Sequence, residues 1–332
     1  MSGTFRKMRL LAGAALAIGA LISAYAEAQQ TPKKVRMGIS STNVSFLAMF
    51  TAQRIGFYKD EGIDLELIYM PANLASTAVM SGDVDYNGAV TGVIGAAVRG
   101  QPMKVLLFTV ARPMLFLMSK KEIKDIKQLK GKKVAGSSPG GSATIMAMEA
   151  LRKHGLEPGK DVSILPMGGS AAGRFAILES GAVDASLLSA PENIIAQERG
   201  YNELLFLGDV VEFPQNGFGS SEKRIRENPD EVYRMVRATL RGLKFVWDRN
   251  NQEQVLEVIT KQFKLQDRKM ASEMQRHVMR VLTKDAAVKP ESIQNIIDLA
   301  RENAKVTRPI SISEVVDYSF VERARKELGM AP

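Results

Sequence analysis

The chain has 332 residues, 24% of them charged and 45% hydrophobic, with a formal net charge of +9 and no cysteine. Disulfide scaffolds, cysteine-ligated zinc and thiol nucleophiles are excluded, and two histidines, His154 and His277, leave little scope for a histidine metal site. A mean hydropathy of −0.08 excludes a multi-span membrane protein.

Residues 1–28 read as a removable export leader. Arg6, Lys7 and Arg9 form a basic start, and the apolar run 10–24 is too short to span a bilayer comfortably. Small residues stand at the cleavage positions twice, in Ala24-Tyr25-Ala26 and Ala26-Glu27-Ala28. The alternative is an uncleaved anchor. Cleavage leaves a chain of net charge +7, expected to be free in the periplasm, because lipid attachment needs a cysteine. Its basic groups are scattered among acids, as in 120–125, without a Lys/Arg stripe carrying aromatics. No nucleic-acid partner is expected.

After a short polar lead, periodicity predicts strands at 35–39, 63–69, 85–88, 103–110 and 115–119, with helices at 45–55, 72–80 and 91–99. The alternation then resumes. Strands are predicted at 133–136, 162–165, 183–188 and 204–207, and helices at 142–154, 171–179 and 191–199. From about 222 the chain reads as helix throughout, at 230–248, 252–262, 268–282, 291–304 and 313–328. This order points to an α/β fold with largely parallel sheets.

A shift of 99 places superimposes Lys33-Lys34-Val35 on Lys132-Lys133-Val134, Gly56 on Gly155, and Ser81-Gly82-x-Val84-Asp85 on Ser180-Gly181-x-Val183-Asp184. Two similar lobes follow, with the first completed by the C-terminal helices. Lobe 1 is expected at 31–113 and 217–332, and lobe 2 at 114–216. The hinges lie near 112–116 and 213–218, where Pro113 and Pro214 suit strand-like connections. A cleft between such lobes is where a small ligand would sit, and hinged lobes can close on it.

Catalytic signatures are weak. Gly136-Ser137-Ser138-Pro139-Gly140 satisfies G-x-S-x-G between a strand and a helix, but the oxyanion-hole amide would belong to Pro139, which has no N–H. There is no P-loop ending, no G-x-G-x-x-G after a strand and no H-E-x-x-H. We therefore expect no enzyme, no cofactor and no metal site.

Binding chemistry is better supported. Polar loops containing Ser41, Thr42 and Asn43, and Ser138, Gly140, Gly141 and Ser142, precede the first helix of each lobe. Hydroxyls and backbone N–H groups at a helix N-terminus favour negative charge. The bland alternative is capping by Ser45 and Ser142. At the third strand of each lobe, Asn87 and Thr91, and Ser189 and Pro191, are placed to face the cleft. Phe46, with Tyr86 and Phe218, would pack on an apolar ligand part. Arg112 and Arg174 are candidate counter-ions, and Trp247 reads as core.

Three stretches carry a family likeness: Arg54-x-Gly56-Phe57-Tyr58-x-x-Glu61-Gly62-Ile63-Asp64-Leu65, Ile126-x-x-Leu129-Lys130-Gly131-Lys132-Lys133-Val134, and Leu178-x-Ser180-Gly181-x-Val183-Asp184-Ala185. With Asn228-Pro229-x-x-Val232, they resemble the periplasmic solute-binding proteins of the nitrate/sulfonate/thiamine-precursor group. The resemblance implies the two-lobed type II periplasmic-binding-protein fold, an export signal, and delivery of a small solute to an ABC permease in the inner membrane. It also brings pyrimidine-precursor synthases into view, but their cysteine-rich motif has no counterpart here. A ligand-sensing receptor subunit is the third reading. The expected ligand is a small anionic organic solute (sulfonate, carboxylate or aromatic acid), with a neutral pyrimidine-like one as the alternative. The protein is expected to be a monomer.

Overall fold

The computed structural model describes residues 32–137, 142–167 and 170–330. The leader, Ser138, Gly140 and Gly141 lie outside them, and of Ser142 the backbone alone is described. The first sheet has the order β2-β1-β3-β10-β4. Strand β1 (Lys33–Ile39) pairs in parallel with β2 (Ile63–Tyr69), and Met37 of β1 lies opposite Tyr86 of β3 (Tyr86–Ala89). The remaining strands of this sheet are β4 (Met103–Phe108) and β10 (Asn216–Ser221). The second sheet comprises β5 (Phe116–Ser119), β6 (Lys133–Gly136), β7 (Ser163–Pro166), β8 (Ala185–Leu188) and β9 (Asn202–Phe206), in the order β7-β6-β8-β5-β9.

Each sheet contains one strand that crosses over from the other. β5 enters antiparallel between β8 and β9, and β10 returns antiparallel between β3 and β4. The periodicity did not reveal β10, because Asn216-Gly217-Phe218-Gly219 lacks apolar alternation. Its glycines serve close packing: an added Cβ at Gly217 or Gly219 would collide with the carbonyl oxygens of Leu107 or Lys104. Residues 216–218 are therefore paired strand, and the second crossing runs through 207–215.

Helices α1 (Leu47–Ile55), α2 (Ala72–Ser81) and α3 (Val90–Val98) flank the first sheet, and α4 (Ser142–Lys153), α5 (Ala171–Glu179) and α6 (Glu192–Glu198) follow the strands of the second. The C-terminal part supplies α7 (Pro229–Trp247), α8 (Gln252–Phe263), α9 (Arg268–Met279), α10 (Pro290–Ala304) and α11 (Ser319–Glu327). The helix predicted at 313–328 is split. Val316 leaves helix to bridge Val105, and Asp317 then caps Ser319 by accepting from its amide at 3.0 Å. The repeat also needs adjustment. Met37 pairs with Tyr86 and Val134 with Ala185, so the first strands correspond two residues away from the Lys-Lys-Val coincidence.

The family-like run at 54–65 is scaffold. Gly56 ends α1 at φ 100°, a left-handed conformation suited to glycine. The Tyr58 hydroxyl meets Thr239 at 2.7 Å, and the Arg241 guanidinium lies 4.3 Å from the Phe57 ring centroid. Glu61, 8% exposed, accepts from Arg237 at 2.6 Å, while Arg234 donates to its backbone carbonyl at 2.9 Å. The motif thus clamps the turn before β2 onto α7. Because Arg237 and Arg241 are 36% and 26% exposed, water screens the pair and rehydrates whichever charge is left. Glu61→Gln is expected to cost about 1–2 kcal/mol. A urea-denaturation cycle with Arg237→Ala checks this: fully additive losses would contradict the coupling.

A third segment braces the crossing between the sheets. Ala111 N–H donates to Val281 O at 2.8 Å, Thr283 N–H to Thr109 O at 2.9 Å, and Phe108 N–H to Ala286 O at 3.0 Å. Trp247 joins this strap by donating from Nε1 to Thr283 O at 2.7 Å, with its half-buried ring against the core. Among the described residues, no helix is long and apolar enough to cross a membrane.

Candidate ligand-binding cleft

Parallel strands of an α/β sheet deliver loops and helix N-termini at their C-terminal ends. After β1, the cap belongs to Asn43, whose Oδ1 accepts from the Ser45 amide at 3.1 Å and from the Ser45 hydroxyl. Ser45 is itself buried, so it is the capped residue rather than the cap. Ser41 is half-buried and Thr42 exposed, and these two hydroxyls remain accessible. Phe46 is fully buried, with its ring centroid 6.2 Å from that of Phe50. It belongs to the core rather than to a ligand surface.

Asn87 also departs from expectation. It is fully buried; Nδ2 donates to Ala72 O at 3.0 Å and Ser76 Oγ at 2.9 Å, and Oδ1 accepts from the Ala89 amide at 2.9 Å. Every polar atom of its side chain is used to hold the start of α2 against β3. Thr91 differs: it is half-buried in the first turn of α3, whose N-cap Ala89 supplies no side-chain bond. Tyr86 and Phe218 pack edge to face at 5.3 Å, and the Tyr86 hydroxyl donates to Glu231 at 3.1 Å. Both are buried at 0% exposure and offer no ligand surface.

In the second sheet, Ser189 is buried and Pro191 half-buried ahead of α6, which has no side-chain cap. Arg174, 7% exposed, sits in the first turns of α5 and donates from Nε to Leu187 O at 2.8 Å. Glu192 carries the opposing charge. Burial lowers the Arg174 pKa and raises that of Glu192. A buried cation therefore stands at the C-terminal end of β8. Arg112 is elsewhere, on the crossing segment, with a long contact to Gly208 O at 3.4 Å.

Sequence reasoning did not place His277 here. Helix α9 packs on the turn Val44–Phe46, and His277 reaches from it to the second sheet. Its ring centroid is 4.7 Å from that of Phe116, and its Nδ1 is 3.5 Å from Asn193 Nδ2. Asn193 is fully buried, and its Oδ1 has no hydrogen-bond partner among the described residues. Helix α9 therefore touches the turn that follows Asn43 and, through His277, approaches Asn193. Burial pushes the His277 pKa down to about 4, and the charges of Arg276 and Arg280 add to the effect. Neutral His277 seals the seam between the two sheets.

The family model described as NMT1/THI5-like matches residues 43–253. The chain belongs to the NMT1/THI5-like family. A second model, of a predicted α-helical domain with a conserved ER motif, matches 223–318. The riboflavin-binding protein RibY of Chloroflexus aurantiacus is 27% identical over 224 residues, 65% of this chain and 63% of RibY. The chain thus spans a little under two thirds of that relative's length.

The periplasmic aliphatic sulphonate-binding protein SsuA of Escherichia coli superimposes with a TM-score of 0.67 at 19% identity. That superposition covers 85% of this chain and 97% of SsuA. A desulfurization enzyme, DszB, superimposes with a TM-score of 0.65 at 14% identity, covering 89% of this chain and 99% of DszB. These likenesses establish the two-sheet periplasmic-binding-protein fold. Solved structures with this fold include both a sulphonate-binding protein and the enzyme DszB.

Proposed function

We propose that this chain is the solute-binding component of an ABC-type uptake system, and that it captures a small anionic organic molecule between two lobes. The observation that carries the anionic choice is Arg174, a buried cation where the strands of the second sheet deliver their loops. Hydroxyl-bearing turns at Ser41, Thr42 and Thr91, and at Ser189 beside Pro191, add donors near helix N-termini. The loop with Ser138, Gly140, Gly141 and Ser142 is the matching element of the second lobe. We leave Phe46 and Asn87 out of the ligand set, because their atoms are committed to the fold.

On this reading the lobes are 31–113 with 217–332, and 114–216. The leader 1–28 directs export to the periplasm, where the monomeric protein meets its permease. Binding rather than catalysis is the reading favoured by the likeness to riboflavin-binding and sulphonate-binding proteins. A neutral heteroaromatic ligand is the second reading, favoured by the likeness to a riboflavin-binding relative.

A thermal-shift panel of alkyl and aryl sulfonates, carboxylates and neutral pyrimidines tests both, since a ligand bound by the native state alone raises the melting point. At least one anion is expected to do so, and Arg174→Gln should weaken it roughly tenfold through loss of a charge-assisted contact. Stabilisation by neutral pyrimidines alone would favour the second reading.

A further inference from the structure

We propose a second, small-anion site at the hinge, separate from the cleft loops. A cavity of about 400 Å³ lies where the β4–β5 crossing meets the start of α10, lined by Arg112, Glu212, Asp285, Lys289 and Ser292 among others. Its two carboxylates are already matched. Glu212 faces Lys289 at 3.6 Å, and Asp285 meets Arg325 at 3.0 Å while also accepting from the Ala287 amide at 3.2 Å. Arg112 is the lining cation without a carboxylate partner among the described residues, so the cavity retains one positive charge.

Two further features point to an anion. Ser292 is 2% exposed, and its hydroxyl, which opens on the cavity, has no hydrogen-bond partner among the described residues. A bound acceptor would supply the partner that this hydroxyl lacks. Helix α10 has 15 residues, Pro290 in its first turn and no side-chain cap at Lys289. Pro290 has no N–H and the Ser292 amide donates to Lys289 O at 3.0 Å, which leaves the Glu291 amide as the first-turn donor without a partner among the described residues. Together these groups fit a carboxylate or a tetrahedral oxyanion held by Arg112, the Ser292 hydroxyl and the Glu291 amide. Arg112 lies on a segment joining the two sheets, so an occupant would tie the crossing to the C-terminal helices.

Sodium sulfate is the probe, titrated at constant ionic strength while the amide resonances of Glu291 and Ser292 are followed by NMR. Saturable shifts are expected in the wild-type chain. Arg112→Gln should raise the midpoint roughly tenfold, because it removes a charged contact, and Ser292→Ala should raise it about threefold. Arg174→Gln should leave it unchanged, which separates this site from the cleft. Absence of a saturable shift overturns the proposal. So does an unaltered midpoint in a normally melting Arg112→Gln, or a midpoint that moves with Arg174→Gln. If Arg112→Gln does not fold, an unaltered Ser292→Ala decides against the site in the same way.

Discussion

Gly242→Ala is expected to destabilise the protein by about 3 kcal/mol, although alanine is ordinarily the better helix former by about 1 kcal/mol. Gly242 lies inside α7, where that helix crosses α1. An added Cβ would run into the Ala48 carbonyl oxygen and stand 2.8 Å from the Ala52 Cβ. Neither neighbour is the movable tip of a long side chain, so the helices must separate, and packing is lost along the whole contact. Gly95→Ala is the internal control. It sits in α3, and its Cβ would meet nothing nearer than Arg99 Nη1 at 3.5 Å. That change should stabilise by about 0.5–1 kcal/mol. Urea midpoints of the two variants should move in opposite directions; a shift of Gly242→Ala toward higher urea would contradict the close crossing.

Acid should weaken the fold through His277. Its pKa is about 4 in the folded chain against an ordinary 6.5, so between these values the unfolded chain binds a proton that the folded chain refuses. The contribution is therefore complete above about pH 6.5 and is lost as the pH falls toward 4. By linkage this amounts to roughly 2–3 kcal/mol between pH 7.5 and pH 4.5. His277→Phe keeps a ring against Phe116 and removes the titration. The variant should lose about that much less stability than the parent over the same interval in urea denaturation. Parallel stability–pH curves would sink the assignment. Carboxylates titrating in the same range affect both chains alike and cancel in the difference.

The sheet and helix order was legible because apolar periodicity and glycine stops are local. The matched Asp85 and Asp184 were legible too, and both do the same work: each carboxylate accepts from a first-strand amide, Arg36 at 2.7 Å and Lys133 at 2.9 Å. What escaped depends on distant partners. Asn87 at a strand end can point either way, and the carbonyl of Ala72 decides it. His277 and Asn193 are 84 residues apart, and no spacing rule joins them. β10 escaped because its residues were selected to be thin rather than apolar. In each case the deciding contact is tertiary.

The insertion of β10 also orders events along the chain. All five strands of the second sheet lie between Phe116 and Phe206, so that sheet can assemble from one continuous stretch. The first sheet has a gap between β3 and β4 that is filled only by a strand arriving after the second sheet is finished. The Ser220 hydroxyl, which bonds Asp85 O, belongs to a residue 135 positions downstream. Such distant closure carries the larger entropic penalty and forms late. The middle of this polypeptide is thus expected to assemble first, with the beginning closing only once the end has arrived.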